Sequence, residues 1–134
     1  MKEKLADTDY VRIEKAVSII RDFLSGQYPE LDTLKVKVTS QIDIQSETDC
    51  IQIPWDFEYY NFGGILRLIT AEMLFKVYQL RKISENESEI LSITNQVVLH
   101  ALESGVCLTC GTFIGNSEIC FFCGRVKNFH CCIN

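Results

Sequence analysis

The stretch CLTCGTFIGNSEICFFCG, residues 107–124, places four cysteines in two C-x-x-C pairs, each followed by a glycine, with nine residues between the pairs. No other feature restricts the fold of this chain as much. A C-x-x-C loop brings two sulfurs to one point from a tight turn, and a glycine directly after the second cysteine supplies the backbone freedom such a turn favours. Two such loops joined by a short reversal close a tetrahedral shell of sulfur, the arrangement Zn2+ adopts with Zn–S distances near ~2.3 Å. Cys107, Cys110, Cys120 and Cys123 meet each requirement, with Gly115 and Asn116 at the reversal and Phe113, Ile114 and Ile119 beside it. The spacing predicts a structural zinc, one per chain.

The competing chemistry is redox. A C-x-x-C dithiol normally occurs once, after a strand and at the start of a helix. Two copies with knuckle glycines favour metal instead. The chain has seven cysteines, an odd number, and its first residues, MKEKLADTDY, contain no apolar signal core. A reducing, cytoplasmic location is the expectation. No stretch approaches the ~18 uncharged apolar residues that suggest a membrane span.

The two knuckles resemble the compact zinc ribbons found as small modules in many bacterial, archaeal and eukaryotic proteins. The resemblance rests on CLTCG, CFFCG and their short spacer, and it ends with the ribbon. It implies a structural metal, and it leaves function open because ribbons serve nucleic-acid, protein and enzyme contexts alike. No family resemblance attaches to residues 1–105.

Those residues read as an α+β body. Val11, Ile13, Ala16, Val17, Ile20, Phe23 and Leu24 recur at helical spacing and predict a helix over 8–25, stopped at Ser25 and Gly26 before Pro29. The period then changes to two. Leu34, Val36 and Val38, then Ile42 and Ile44, then Ile51 and Ile53 predict three half-buried strands in an antiparallel sheet. Leu66, Ile69, Met73, Val77 and Leu80, widened by Ile65, Leu68 and Phe75, predict a central helix over 64–82. A third helix is expected over 86–104, on ridges of Ile90, Thr94, Val97 and Ala101 and of Leu91, Val98 and Leu102. Its start would be capped by Ser84 with Glu87 or by Asn86 with Glu89. The predicted architecture is helix, three-stranded antiparallel sheet, two helices and a C-terminal four-cysteine zinc ribbon. It divides into a body of residues 1–105 and a ribbon and tail of 106–134.

Charge narrows the function. The 134 residues carry a net charge of −5, which argues against bulk binding to nucleic-acid phosphates. Residues 41–62 hold Asp43, Glu47, Asp49, Asp56 and Glu58 and no lysine or arginine. Within PWDFEYYNFGG, the residues Trp55, Asp56, Phe57, Glu58, Tyr59 and Tyr60 combine aromatic anchors with one sign of charge, as a recognition patch for a basic protein surface would. The same aromatics could simply close the core. Phe121 and Phe122, inside the second knuckle, either grip a partner or dock the ribbon on the third helix.

No catalytic set emerges. Cys50 with His100 or His130 has no local support as a nucleophile–base pair, and four cysteine ligands leave a zinc no open position for water. His130, Cys131 and Cys132 would need Cys50 or His100, brought near by the fold, to complete a second metal site, and CCIN is an atypical lipidation signal. The sequence therefore reads as a small acidic zinc-binding interaction protein: an adaptor, inhibitor or regulator of another protein, with no enzymatic activity. The alternatives are a nucleic-acid-associated ribbon using Arg125 and Lys127, and a thiol-dependent enzyme.

Overall fold

The computed structural model of the chain describes residues 7–39, 50–54, 61–115 and 119–120, with backbone alone at 7–10, 38–39 and 54. Helix α1 spans Asp7–Leu24. Its buried stripe is Ile13, Ala16, Val17, Ile20 and Leu24, spaced by three and four residues as one helical face requires. Val11 and Phe23, which share the sequence pattern, lie on the exposed side, and the Phe23 ring stacks on His100 at 4.6 Å. After α1 the chain turns, and Pro29–Asp32 forms a short 3₁₀ segment. Arg21 fastens this return to α1: Nε donates to the Leu31 carbonyl at 2.9 Å and Nη2 to the Leu34 carbonyl at 2.6 Å.

Strand β1 (Lys35–Thr39) pairs with β2 (Cys50–Pro54), and the pairing is parallel, from Lys35 opposite Cys50 to Thr39 opposite Pro54. This corrects the expected three-stranded antiparallel sheet. Among the described residues the sheet has two strands that run the same way. The middle predicted strand, with Ile42 and Ile44, lies outside the described residues. The reason for the error is physical. Alternation with period two fixes which side chains face the core, but it is identical for either strand direction. Ile51 and Ile53 of β2 do face the core.

Helix α2 (Phe62–Arg81) is the centre of the molecule and packs against α1, α3 (Glu87–Glu103), β2 and the 3₁₀ segment. Ile65, Leu66, Ile69, Met73, Leu74 and Val77 are fully buried on it, and burial of each such side chain is worth roughly 1.5–3 kcal/mol. Leu80, at the end of the predicted stripe, is exposed, as is Leu91 on α3. Asn61 caps α2, its Oδ1 accepting from the Gly64 N–H at 2.8 Å. Asn86 caps α3 in the same way, accepting from the Glu89 N–H at 3.1 Å. The Glu89 carboxylate is turned to another use and accepts the Tyr78 hydroxyl of α2.

A second fastening joins the far end of α2 to the 3₁₀ segment. Arg81 grips Glu30 with two bonds of 2.6 and 2.9 Å, donates to the Gln27 carbonyl, and lies 5.1 Å over the Tyr28 ring. No described helix is long and apolar enough to cross a membrane.

Candidate metal centre

The first knuckle begins where α3 stops. Gly105, with φ 96°, follows the helix, its N–H donating to the Leu102 carbonyl and the Val106 N–H to Ala101. These two bonds form a Schellman motif that turns the chain sharply. A Cβ on Gly105 would stand 2.8 Å from the Gly115 Cα, because the chain returns across this point. Ile114 and Gly115 both donate to the Gly105 carbonyl, and Val106 bridges Phe113 in antiparallel fashion. A small hairpin results.

Within it the Gly111 N–H donates to the Cys107 carbonyl and the Cys107 N–H to the Thr112 carbonyl, each at 2.8 Å. Gly111 takes φ 86°, the conformation the knuckle glycine was expected to supply, and a Cβ there would also strike the Phe62 ring at 2.8 Å. Two constraints therefore fix one glycine.

This backbone gathers sulfur. One ligand atom from each of Cys107, Cys110 and Cys120 lies within 4.8 Å of the others, and Cys110 Sγ is 3.5 Å from Cys120 Sγ. Four sulfurs held ~2.3 Å from one ion at tetrahedral angles lie about 3.8 Å apart, so the cluster has the right size for a shared metal. None of the three is in a disulfide, and 3.5 Å is far longer than the ~2.0 Å of such a bond. The donor set is all sulfur, which suits zinc, copper(I) or iron–sulfur chemistry rather than magnesium or calcium. Cys107 and Cys120 are fully buried. Burial pushes the Cys110 thiol above its ordinary range, Thr112 pulls it down, and its sulfur neighbours push it up again. A bound cation displaces the thiol protons, so metal affinity at such a site rises with pH.

Cys123, the fourth expected ligand, lies outside the described residues. So do all the expected partner-binding residues: Trp55, Asp56, Phe57, Glu58, Tyr59, Tyr60, Phe121 and Phe122. Of the weaker candidates, Cys50 is buried at the head of β2 and donates to the Ile51 carbonyl, while His100 is stacked on Phe23.

The structure adds residues that local pattern did not single out. The Phe62 N–H donates to the Thr109 carbonyl at 3.0 Å and the Gly63 N–H to the Leu108 carbonyl at 2.7 Å, so the knuckle caps the start of α2. Lys15 Nζ donates to the Gly111 carbonyl at 2.8 Å. Thr112 Oγ1 lies 3.2 Å from Cys110 Sγ. Thr112 sits two residues after Cys110 and could be suspected from the sequence; Phe62 belongs to the aromatic segment PWDFEYYNFGG and is buried, but nothing local ties it or Lys15 to the knuckle.

No protein-family model, curated protein or solved structure matches the chain. Three clustered cysteines, compatible with a small metal-binding module, are the most distinctive chemical feature among the described residues.

Proposed function

We propose that Cys107, Cys110, Cys120 and Cys123 bind one structural zinc ion in a small acidic protein whose role is to bind another protein. The observation that carries the metal reading is the convergence of three thiols within 4.8 Å on a knuckle backbone. Four sulfur ligands saturate zinc and leave no site for a reacting water, which favours a structural over a catalytic metal. The interaction reading draws on the net charge of −5 and on exposed apolar side chains beside the knuckle, Phe113 at 70% and Ile119 at 54%. Large apolar groups left in water near a rigid, metal-fixed turn are what an adaptor or inhibitor presents to its target. In this reading the acidic and aromatic residues 55–60, with Phe121 and Phe122, also bind the partner, whose face is basic.

Metal analysis of the full chain purified without chelator tests the reading. One zinc per chain is expected, lost in Cys107→Ser and in Cys120→Ser. A metal-free protein with a reversible Cys107–Cys110 disulfide would overturn it in favour of redox chemistry.

A further inference from the structure

Two sources of positive potential converge on the first knuckle. One is the amino end of α2, whose opening N–H groups at Phe62 and Gly63 donate to the carbonyls of Thr109 and Leu108. These are the two residues between Cys107 and Cys110. The other is Lys15 of α1, which contacts the carbonyl of Gly111, the residue after Cys110, at 2.8 Å. The start of α2 and the middle of α1, from different parts of the chain, donate to carbonyls of the same turn, at Leu108, Thr109 and Gly111.

The electrostatics of a four-thiolate zinc give this convergence a purpose. Zn2+ with four thiolates has a formal charge of −2, and placing that charge on buried sulfurs such as Cys107 and Cys120 requires compensation. A helix amino end supplies roughly +0.5 and a lysine a full unit. Both act against that excess, the lysine through solvent. The geometry also transmits position. The knuckle carbonyls meet Phe62 N–H, Gly63 N–H and Lys15 Nζ in the same turn conformation that gathers the thiols.

We infer that Lys15 and the amino end of α2 form the electrostatic seat of the metal–thiolate centre. Metal binding and docking of the knuckle on α1 and α2 are then one coupled event. The inference rests on the four-sulfur zinc reading. Lys15 acts as a positioning residue, through the Gly111 carbonyl and its charge rather than as a ligand. Its side chain is exposed, so salt screens its attraction.

Metal titration of the full chain tests this. Wild type, Lys15→Met and Lys15→Arg are each loaded with Co2+ and then challenged for Zn2+ by a competing chelator at low and high salt. Circular dichroism on the same samples reports folding. Methionine keeps much of the apolar stem and removes the charge. The expected result is a tetrahedral thiolate cobalt spectrum in all three proteins, with zinc held about tenfold more weakly by Lys15→Met. Lys15→Arg should restore the affinity, and the deficit of Lys15→Met should narrow as salt rises. Equal zinc retention in Lys15→Met and wild type overturns the seat while leaving the metal reading intact. Absence of the thiolate cobalt spectrum in wild type overturns the metal reading and the seat together. If Lys15→Met loses its fold, amide exchange in the wild type decides. Zinc should slow exchange at Phe62 and Gly63, whose acceptors lie in the knuckle, and unchanged exchange overturns the coupling.

Discussion

Two threonines on neighbouring helices show how much a single hydroxyl depends on its surroundings. Thr94 of α3 is buried, and its Oγ1 donates to the Leu91 carbonyl at 2.8 Å. Thr70 of α2 is fully buried, and its Oγ1 has no hydrogen-bond partner among the described residues. A hydroxyl taken out of water without a partner costs free energy that a methyl group of similar shape does not. Thr70→Val should therefore stabilise the protein by ~1 kcal/mol, while Thr94→Val should be neutral or cost up to ~1 kcal/mol. Denaturant unfolding of the two variants checks the contrast. A loss of stability in Thr70→Val would show that its hydroxyl is satisfied after all. The sequence places both threonines within helical patterns, and only Thr94 belongs to a predicted ridge. Which of them finds an acceptor is a matter of rotamer and neighbour, and helical spacing does not encode it.

At the scale of elements, helices were legible and strand direction was not. The predicted spans 8–25, 64–82 and 86–104 compare with Asp7–Leu24, Phe62–Arg81 and Glu87–Glu103. An apolar stripe with a capping asparagine is a local signal, as Asn86 shows. The start of α2 lies earlier than predicted because Gly63 and Gly64 weaken helix propensity, yet Asn61 and two knuckle carbonyls hold that turn. The fastenings between elements were also illegible, since each joins residues of different elements, Arg81 and Glu30 being 51 positions apart. They leave a pH signature. The Arg81 hydrogen bonds hold the Glu30 carboxyl below its ordinary value of 4.5, whereas half-burial raises that of Glu72 and Lys76 only partly offsets it. Folded Glu30 binds its proton less tightly than the unfolded chain, so its contribution is present above pH 4.5 and lost as the pH falls through its lowered value. Folded Glu72 binds its proton more tightly, so its contribution is present below 4.5 and lost as the pH rises through its raised value. Once ionised, above its raised value, Glu72 is a net cost. Glu30→Gln should thus lower stability at pH 7 by less than ~1 kcal/mol, the pair being solvent-screened, and Glu72→Gln should raise it. Both differences should shrink in acid. Urea unfolding from pH 3 to 7 measures them, and shifts of the same sign in the two variants would contradict the assignment.

For the whole molecule, the decisive fact is where the first knuckle sits. Leu108, between two cysteines, is fully buried in the same apolar cluster as Ile20 of α1, Leu66 of α2 and Val97 of α3. Lys15 and the start of α2 hold the same turn through hydrogen bonds. The cysteine spacing made the thiol cluster legible in advance, but not this anchorage, which depends on tertiary contacts from residues far away in the chain. The anchorage has a thermodynamic consequence. A metal that binds only the folded chain stabilises whatever unfolds together with its site, by ~2.7 kcal/mol when free metal exceeds its dissociation constant a hundredfold. If the knuckle were an independent appendage, chelation would melt the appendage and leave the helices unaffected. With Leu108 inside the common core, a bound metal instead stabilises all three helices. Removing zinc should lower the midpoint of helix unfolding by something on the order of 10 °C, in one transition seen equally by far-ultraviolet circular dichroism and by calorimetry. Readdition of zinc should restore it. A helix transition that stays at the same temperature after chelation, with a separate low-temperature event from the knuckle, would show that the contacts around Leu108 do not couple the metal centre to the core.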